Sequence, residues 1–258
     1  HAQTRKQQRP VDKQNNTQAQ KFYKVMSAAS QSQKKSIAKN TAFLYVRMLV
    51  VMVVSFYTSR VVLHALGETD YGIYDVVGGI VMMMTFINGS LAASTSRFLT
   101  YELGRKDFRQ LARTFSAALN LHIGAAALVI LIGESVGVWF LYNYMTIPPD
   151  RLTDAFWILQ FSLVTTCFIF TQVPYNASII SHENMSVFAY VGLYEALSKL
   201  AIAFLITYDI SNRLILYGFM LMANTVLIQL FYRFYTHRKY PECRIRFIRD
   251  KALYKKLL

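Results

Sequence analysis

The sequence predicts an all-α integral membrane protein, a six-transmembrane-helix bundle with both termini on the cytoplasmic side. Three observations predict it. Of the 258 residues, 54% are hydrophobic and only 16% are charged, an apolar share above the ~45–50% of ordinary soluble domains. The apolar residues fall into six blocks of about 20 or more, each long enough as a helix to span the roughly 30 Å hydrocarbon core of a bilayer. Lysine and arginine concentrate in alternate connections, the asymmetry that keeps basic loops inside.

In chain order the blocks cover about 41–66, 71–100, 112–142, 153–180, 186–207 and 213–235. Each has to be helical, because an unpaired backbone group in hydrocarbon costs several kcal/mol. The connections "GETD", "LGRKDFRQ", "NYMTIPPDR", "SHEN" and "YDISNR" are short, which makes successive helices antiparallel neighbours. The bundle therefore occupies 41–236. Residues 1–40 are polar, and their first 25 are rich in Gln, Asn and Lys without the apolar core of a signal peptide. That composition predicts a disordered cytoplasmic segment, and Met26 reads as a natural start. Residues 237–258 mix Ile245, Phe247, Ile248, Leu253 and Leu257 with many cations, which suits an amphipathic linker on the anionic inner leaflet.

The net charge of +14 invites a nucleic-acid reading, and the placement of the charges argues against it. Lys34, Lys35 and Lys39 precede the first helix. Arg105, Lys106, Arg109 and Arg113 follow the second, and a dense basic tail follows the sixth. The alternate connections hold only Arg151 and Arg213. Membrane orientation explains the charge, so the partners expected are membrane lipids and not DNA or RNA. Cys167 and Cys243 lie far apart in unlike surroundings, and the five histidines form no metal-ligand spacing, so no disulfide, metal or cofactor is expected. Connections of a few residues leave no room for an extramembrane catalytic loop. No catalytic residues, and no enzyme, are expected.

One stretch, "RVVLHALGETDYGIYDVVGGI" from Arg60 to Ile80, carries more charge than its surroundings. Glu68 and Asp70 read as the first extracytoplasmic turn, after Gly67 has ended a helix. What remains is Arg60, then Leu66-Gly67, then Tyr71-Gly72-Ile73-Tyr74, with "NGSLAASTSRFLTYELGRKD" downstream. This pattern resembles the polysaccharide (O-antigen-type) flippases of the multidrug/oligosaccharidyl-lipid/polysaccharide exporter superfamily. The resemblance covers about residues 36–258 and implies the N-terminal lobe of a two-lobed protein of 12–14 helices. It implies transport of undecaprenyl-pyrophosphate-linked oligosaccharide across the bacterial cytoplasmic (inner) membrane by alternating access, with a C-terminal lobe of the same chain as partner. The alternative is an ion-coupled multidrug or metabolite antiporter of the same superfamily. The excess of intramembrane Arg and Lys over acids favours the flippase.

A diphosphate bearing sugars needs cations and hydrogen-bonding groups in a shielded cavity, and ionisable residues inside membrane helices usually face such a cavity. Arginine suits phosphate because its planar fork donates two parallel hydrogen bonds. Arg60 lies on one helical face with Tyr57 and His64. It is either a substrate ligand or an arginine that snorkels to the outer interface. Arg47, near the cytoplasmic end of the same helix, reads better as snorkelling. Asp75, Gly78, Gly79, Met82, Phe86, Gly89, Ala93 and Arg97 share a face of the second helix, where close approach of a neighbour explains the small residues. Arg97 either meets phosphate or anchors the helix. Glu195 and Lys199 stand four apart in the fifth helix, the favourable orientation for a pair. They read as a neutralised structural pair or, more sharply, as Lys199 meeting substrate and Glu195 responding to ions. Glu134 and Asp75 complete the carboxylates available for ion coupling. Asn88, Asn120, Gln172, Asn176 and Asn224 suit sugar hydroxyls, with interhelical bonds the simpler reading.

Overall fold

The computed structural model describes residues 4–208 and 212–243, with side chains described from 41 onward except at 84 and 87. Among the described residues every regular element is helical: α1 Thr4–Met84, α2 Phe86–Gly104, α3 Phe108–Ile132, α4 Val138–Asn143, α5 Leu152–Ser181, α6 Met185–Leu205 and α7 Arg213–Lys239. A π-helical turn, Gly133–Gly137, joins α3 to α4, and single 3-10 turns occupy Pro149–Arg151 and Pro241–Cys243. The polar N-terminal segment belongs to α1 from Thr4 onward. Composition alone predicts disorder there, but no glycine interrupts the first 66 residues and Gln, Lys and Ala are good helix formers. His1–Val46 forms one compact unit and Arg47–Leu258 another; the bundle and the candidate site belong to the second. The basic tail predicted to be an amphipathic linker lies, beyond Cys243, outside the described residues.

Five stretches are long and apolar enough to cross a membrane: Thr41–Met83, Phe108–Asn143, Pro149–Ser181, Met185–Leu205 and Arg213–Lys239. The first, at 43 residues, would be about 65 Å long as one rod, twice the hydrocarbon thickness. It is not one rod. Gly67 has φ 80° and ψ 169°, a region essentially closed to residues with a Cβ. Before Gly67, the Arg47 guanidinium lies 4.3 Å from the Phe188 ring centre and Tyr57 meets Phe204 at 6.1 Å, so this arm ascends alongside α6. After Gly67, Asp70 meets Arg151 at 3.5 Å, Tyr74 meets Tyr217 at 4.9 Å and Thr100 bonds Ser181 at 3.0 Å. This arm therefore follows α5 from start to end. The tight turn at 182–184 sends α5 and α6 in opposite directions, so the chain reverses at Gly67, where the sequence predicts its first turn.

Two predicted blocks differ in detail. The second breaks at Thr85, whose Oγ1 donates to the Met82 carbonyl at 2.6 Å, dividing the descending arm between α1 and α2. The third carries the π-helical turn, where Gly133 lets α3 approach Leu163 of α5 so closely that a Cβ would collide with it. Helix α5 runs unbroken through Pro174 and is the central post, packed on α2, α3, α6 and α7. One core cluster, including Ile158, Leu163, Phe170 and Leu214, fills the Gly67 end. A second, including Leu99, Phe115, Tyr175 and Tyr232, fills the opposite end.

Large apolar side chains also cover much of the described exterior. Val53, Phe56, Met82, Phe86, Leu131 and Phe234 are all exposed, far more than a water-facing surface tolerates in contiguous patches. Trp139, Tyr142 and Tyr144 cluster exposed at the end of α4, the aromatic pattern of a membrane–water boundary. The protein is a multi-pass helical membrane protein.

Candidate functional site: a polar cleft within the bundle

Two confluent chambers run between the helices. The first, about 410 Å³, lies among the descending arm, α2, α5 and α7 and is lined by Tyr74, Gly78, Asn88, Thr165, Thr166 and Gly218, among others. The second, about 350 Å³, lies among α5, α6 and α7 with Gln172, Asn176, Glu195, Lys199 and Thr225 on its walls. Tyr74, Thr165, Ile169 and Leu221 border both, so the two form one cleft. Gly218 allows α7 to sit against Ile158 of α5.

The chemistry of the walls is mostly uncharged. Thr166 and Thr225 donate their hydroxyl protons to their own helices, to the Ser162 carbonyl at 2.9 Å and the Leu221 carbonyl at 3.1 Å. Their lone pairs stay available as acceptors. The Oδ1 atoms of Asn88 and Asn176 are buried without a hydrogen-bond partner. An unsatisfied buried polar atom costs about 1–3 kcal/mol. The interhelical bonds that the sequence suggests for these amides do not form among the described residues. Among the described residues lining the two chambers, the formal charges cancel: Lys199 Nζ donates to Glu195 Oε1 at 2.7 Å, with both side chains a little under half exposed.

At the Gly67 end of the bundle, side chains tie the elements together. Arg151 Nη1 donates to Asp154 Oδ2 at 3.0 Å while its Nε lies 3.5 Å from Asp70 Oδ1. Asn212 Nδ2 donates to Asp154 Oδ1 at 3.0 Å, and Arg213 Nη1 donates to the Ala65 carbonyl at 3.1 Å. The start of the descending arm, α5 and α7 are thus joined through Arg151 and the carboxylates of Asp70 and Asp154.

The predicted site residues divide into three groups. Glu195 and Lys199 meet in the cleft. Arg47 turns into the bundle, over Phe188 and against Gly192, where a Cβ would strike its guanidinium. Its Nε is buried without a partner, and Tyr232 lies within electrostatic reach of both Arg47 and Glu195. The snorkelling expected of Arg47 is therefore replaced by an inward pose, because glycine at 192 leaves room for it. Arg60, His64, Asp75 and Arg97 are exposed on the outer surface of the bundle and do not line the cleft. Glu134 is also exposed and accepts from Gln160 Nε2 at 3.2 Å. The glycine-rich face from Asp75 to Arg97 lacks the packing predicted for it: Cβ atoms at Gly78, Gly79 and Gly89 would touch nothing.

Sequence reasoning missed Tyr217, the threonines of α5, and Thr225. Tyr74 lay in the quoted motif, and its edge-on contact with Tyr217 at 4.9 Å gives that motif tyrosine a structural position. Among the described residues no group of three or more His, Cys, Asp or Glu could hold a metal ion. The fold and the cleft together define the class, a polytopic helical membrane protein with an internal polar cleft. Comparisons with protein-family models, curated proteins and solved structures found no match.

Proposed function

We propose that this chain is the membrane-spanning lobe of a flippase that carries lipid-linked (undecaprenyl-pyrophosphate) oligosaccharide across the bacterial cytoplasmic membrane for cell-surface polysaccharide synthesis. The observation that carries the reading is the cleft's lining of neutral hydrogen-bonding side chains. Asn88, Thr165, Thr166, Gln172, Asn176 and Thr225 all border it, and Thr166 and Thr225 keep acceptor lone pairs. A sugar, with a hydroxyl on nearly every carbon, is the ligand that uses many neutral donors and acceptors at once. Lys199, inward-turned Arg47 and their neighbour Glu195 add a weakly cationic stretch suited to the diphosphate. In this reading the two arms of α1 and α2 cross the membrane separately, giving six passes. The basic α2–α3 turn and the Arg238-Lys239 end of α7 lie in the cytoplasm. A second lobe covers the glycine-rich face and brings Arg60 and Arg97 to the diphosphate. A cation antiporter would need a surplus of acid in the cleft, and the walls carry one carboxylate against one ammonium.

Complementation of a flippase-deficient bacterium with the full-length gene and its Arg60→Ala variant, at matched membrane abundance, tests the reading. Wild type is expected to restore surface polysaccharide and Arg60→Ala to restore well under half as much. Efflux of cationic drugs without polysaccharide rescue, across hosts supplying different sugars, would overturn it.

A further inference from the structure

Where the two chambers meet, Tyr74, Thr165, Ile169 and Leu221 form a common border. Ile169 and Leu221 are aliphatic and Thr165 carries a small hydroxyl, so Tyr74 brings the aromatic ring to this junction. The ring is held from one side. Tyr217 packs against it at 4.9 Å with the planes inclined by 64°, the edge-to-face arrangement that aromatic pairs prefer. Tyr217 is buried, whereas Tyr74 is only half-buried. One turn further along the same helix stands Gly78, which lines the first chamber and where a Cβ would meet nothing within 4 Å. The space beside the ring is therefore open.

Each chamber has neutral hydrogen-bonding groups of its own. Asn88 lines the first, while Gln172, Asn176 and Thr225 line the second. Along α5, Thr165 and Asn176 are separated by about 16 Å at 1.5 Å per residue, the reach of several linked sugars and not of one. The volumes, about 410 and 350 Å³, each fall in the roughly 300–1,000 Å³ range of small-ligand pockets. The ammonium of Lys199 belongs to the second chamber. That orients a lipid-linked ligand, with its diphosphate on the Lys199 side and its sugars extending away.

A pyranose is amphipathic: its rim carries hydroxyls, and one of its faces is a patch of C–H groups with a slight positive charge. An aromatic ring presents a negative face and attracts that patch, while neutral amides and hydroxyls exchange hydrogen bonds with the rim. We propose that the cleft holds two sugar subsites that share Tyr74 as a stacking platform. The second chamber takes the sugar next to the diphosphate, Tyr74 stacks on the sugar at the junction, and the first chamber takes the distal sugar beside Asn88. The inference rests on the flippase reading and adds to it the order in which an oligosaccharide is held. It makes Tyr74 a specificity-determining residue that reads the length of the sugar chain and not the diphosphate.

Three probes test this by equilibrium binding to the full-length protein in nanodiscs: a polyprenyl diphosphate without sugar, with one hexose, and with a linear trisaccharide. Wild type is expected to bind the one-sugar probe more tightly than the bare diphosphate, and the trisaccharide probe about fivefold more tightly again. Tyr74→Leu, which keeps apolar bulk, is expected to lose that second gain, about fivefold being the size of one aromatic contact. It is expected to bind the bare diphosphate as wild type does. Tyr74→Phe, which keeps the ring, is expected to retain the gain. Asn88→Leu is expected to weaken the trisaccharide probe alone, and Asn176→Leu both glycosylated probes. Equal affinity of wild type for all three probes would overturn the flippase reading and this inference with it. A full trisaccharide gain in Tyr74→Leu, or a loss in that variant shared by the bare diphosphate, would overturn the inference and leave the reading standing. So would a wild type that gains nothing beyond the first sugar.

Discussion

Asn88 and Asn176 hold amide oxygens shut away from water and left unpaired, a costly state that substitution by a leucine would relieve. The sequence makes these amides visible inside apolar blocks, but it does not say whether they face another helix or an opening. Side-chain direction depends on where the neighbouring helix ends up. The same limit explains Arg60, His64 and Tyr57: helical spacing puts them on one face, and all three are exposed, yet spacing alone cannot say that the face looks away from the cleft. The i,i+4 pair is different, because its geometry is internal to one helix, and Glu195–Lys199 forms at 2.7 Å. Since both partners are nearly half exposed in an open cleft, breaking the pair by Glu195→Gln or Lys199→Met is expected to cost about 1 kcal/mol or less. Thermal unfolding in detergent checks this. A loss of about 3–5 kcal/mol, as for a dry buried pair, would mean a structural bond and not a ligand site.

Element boundaries were legible wherever a glycine or a run of polar residues punctuates the apolar blocks. Gly67 is the clearest case: the sequence predicts a helix end there, and the backbone adopts a conformation that a Cβ strains. Gly67→Ala is expected to destabilise the bundle by about 1–3 kcal/mol, read as a lower unfolding temperature, although nothing lies within 4 Å of the position to clash. An unchanged temperature would mean the reversal does not depend on that conformation. The breaks at Thr85 and at Gly133–Gly137 were not legible. Hydropathy reports how apolar a block is, and neither break changes that. One is a hydroxyl bonded to its own backbone and the other a widened turn seated against Leu163, both settled by packing. The docking of Tyr240, Glu242 and Cys243 on the α5–α6 end was missed for a related reason, because 237–258 reads as a basic tail in composition.

At the scale of the whole molecule, charge and apolarity do separate jobs. The exposed apolar belt and the aromatic cluster at α4 fit the chain to a bilayer, and Arg105, Lys106, Arg238 and Lys239 stand at the end opposite Gly67. Polar groups withdrawn from that belt line one continuous cleft, and the Arg151–Asp154–Asn212 network ties the helices together at the Gly67 end. The central claim is that this cleft holds the sugars of a lipid-linked oligosaccharide. The most direct test is equilibrium binding to the protein in nanodiscs of two probes, a polyprenyl diphosphate trisaccharide and the same polyprenyl diphosphate without sugar. Wild type is expected to bind the glycosylated probe at least about tenfold more tightly, and Asn176→Leu to lose about fivefold of that advantage, the worth of roughly one hydrogen bond. Equal affinity for the two probes in wild type, with Asn176→Leu unchanged, would contradict the account.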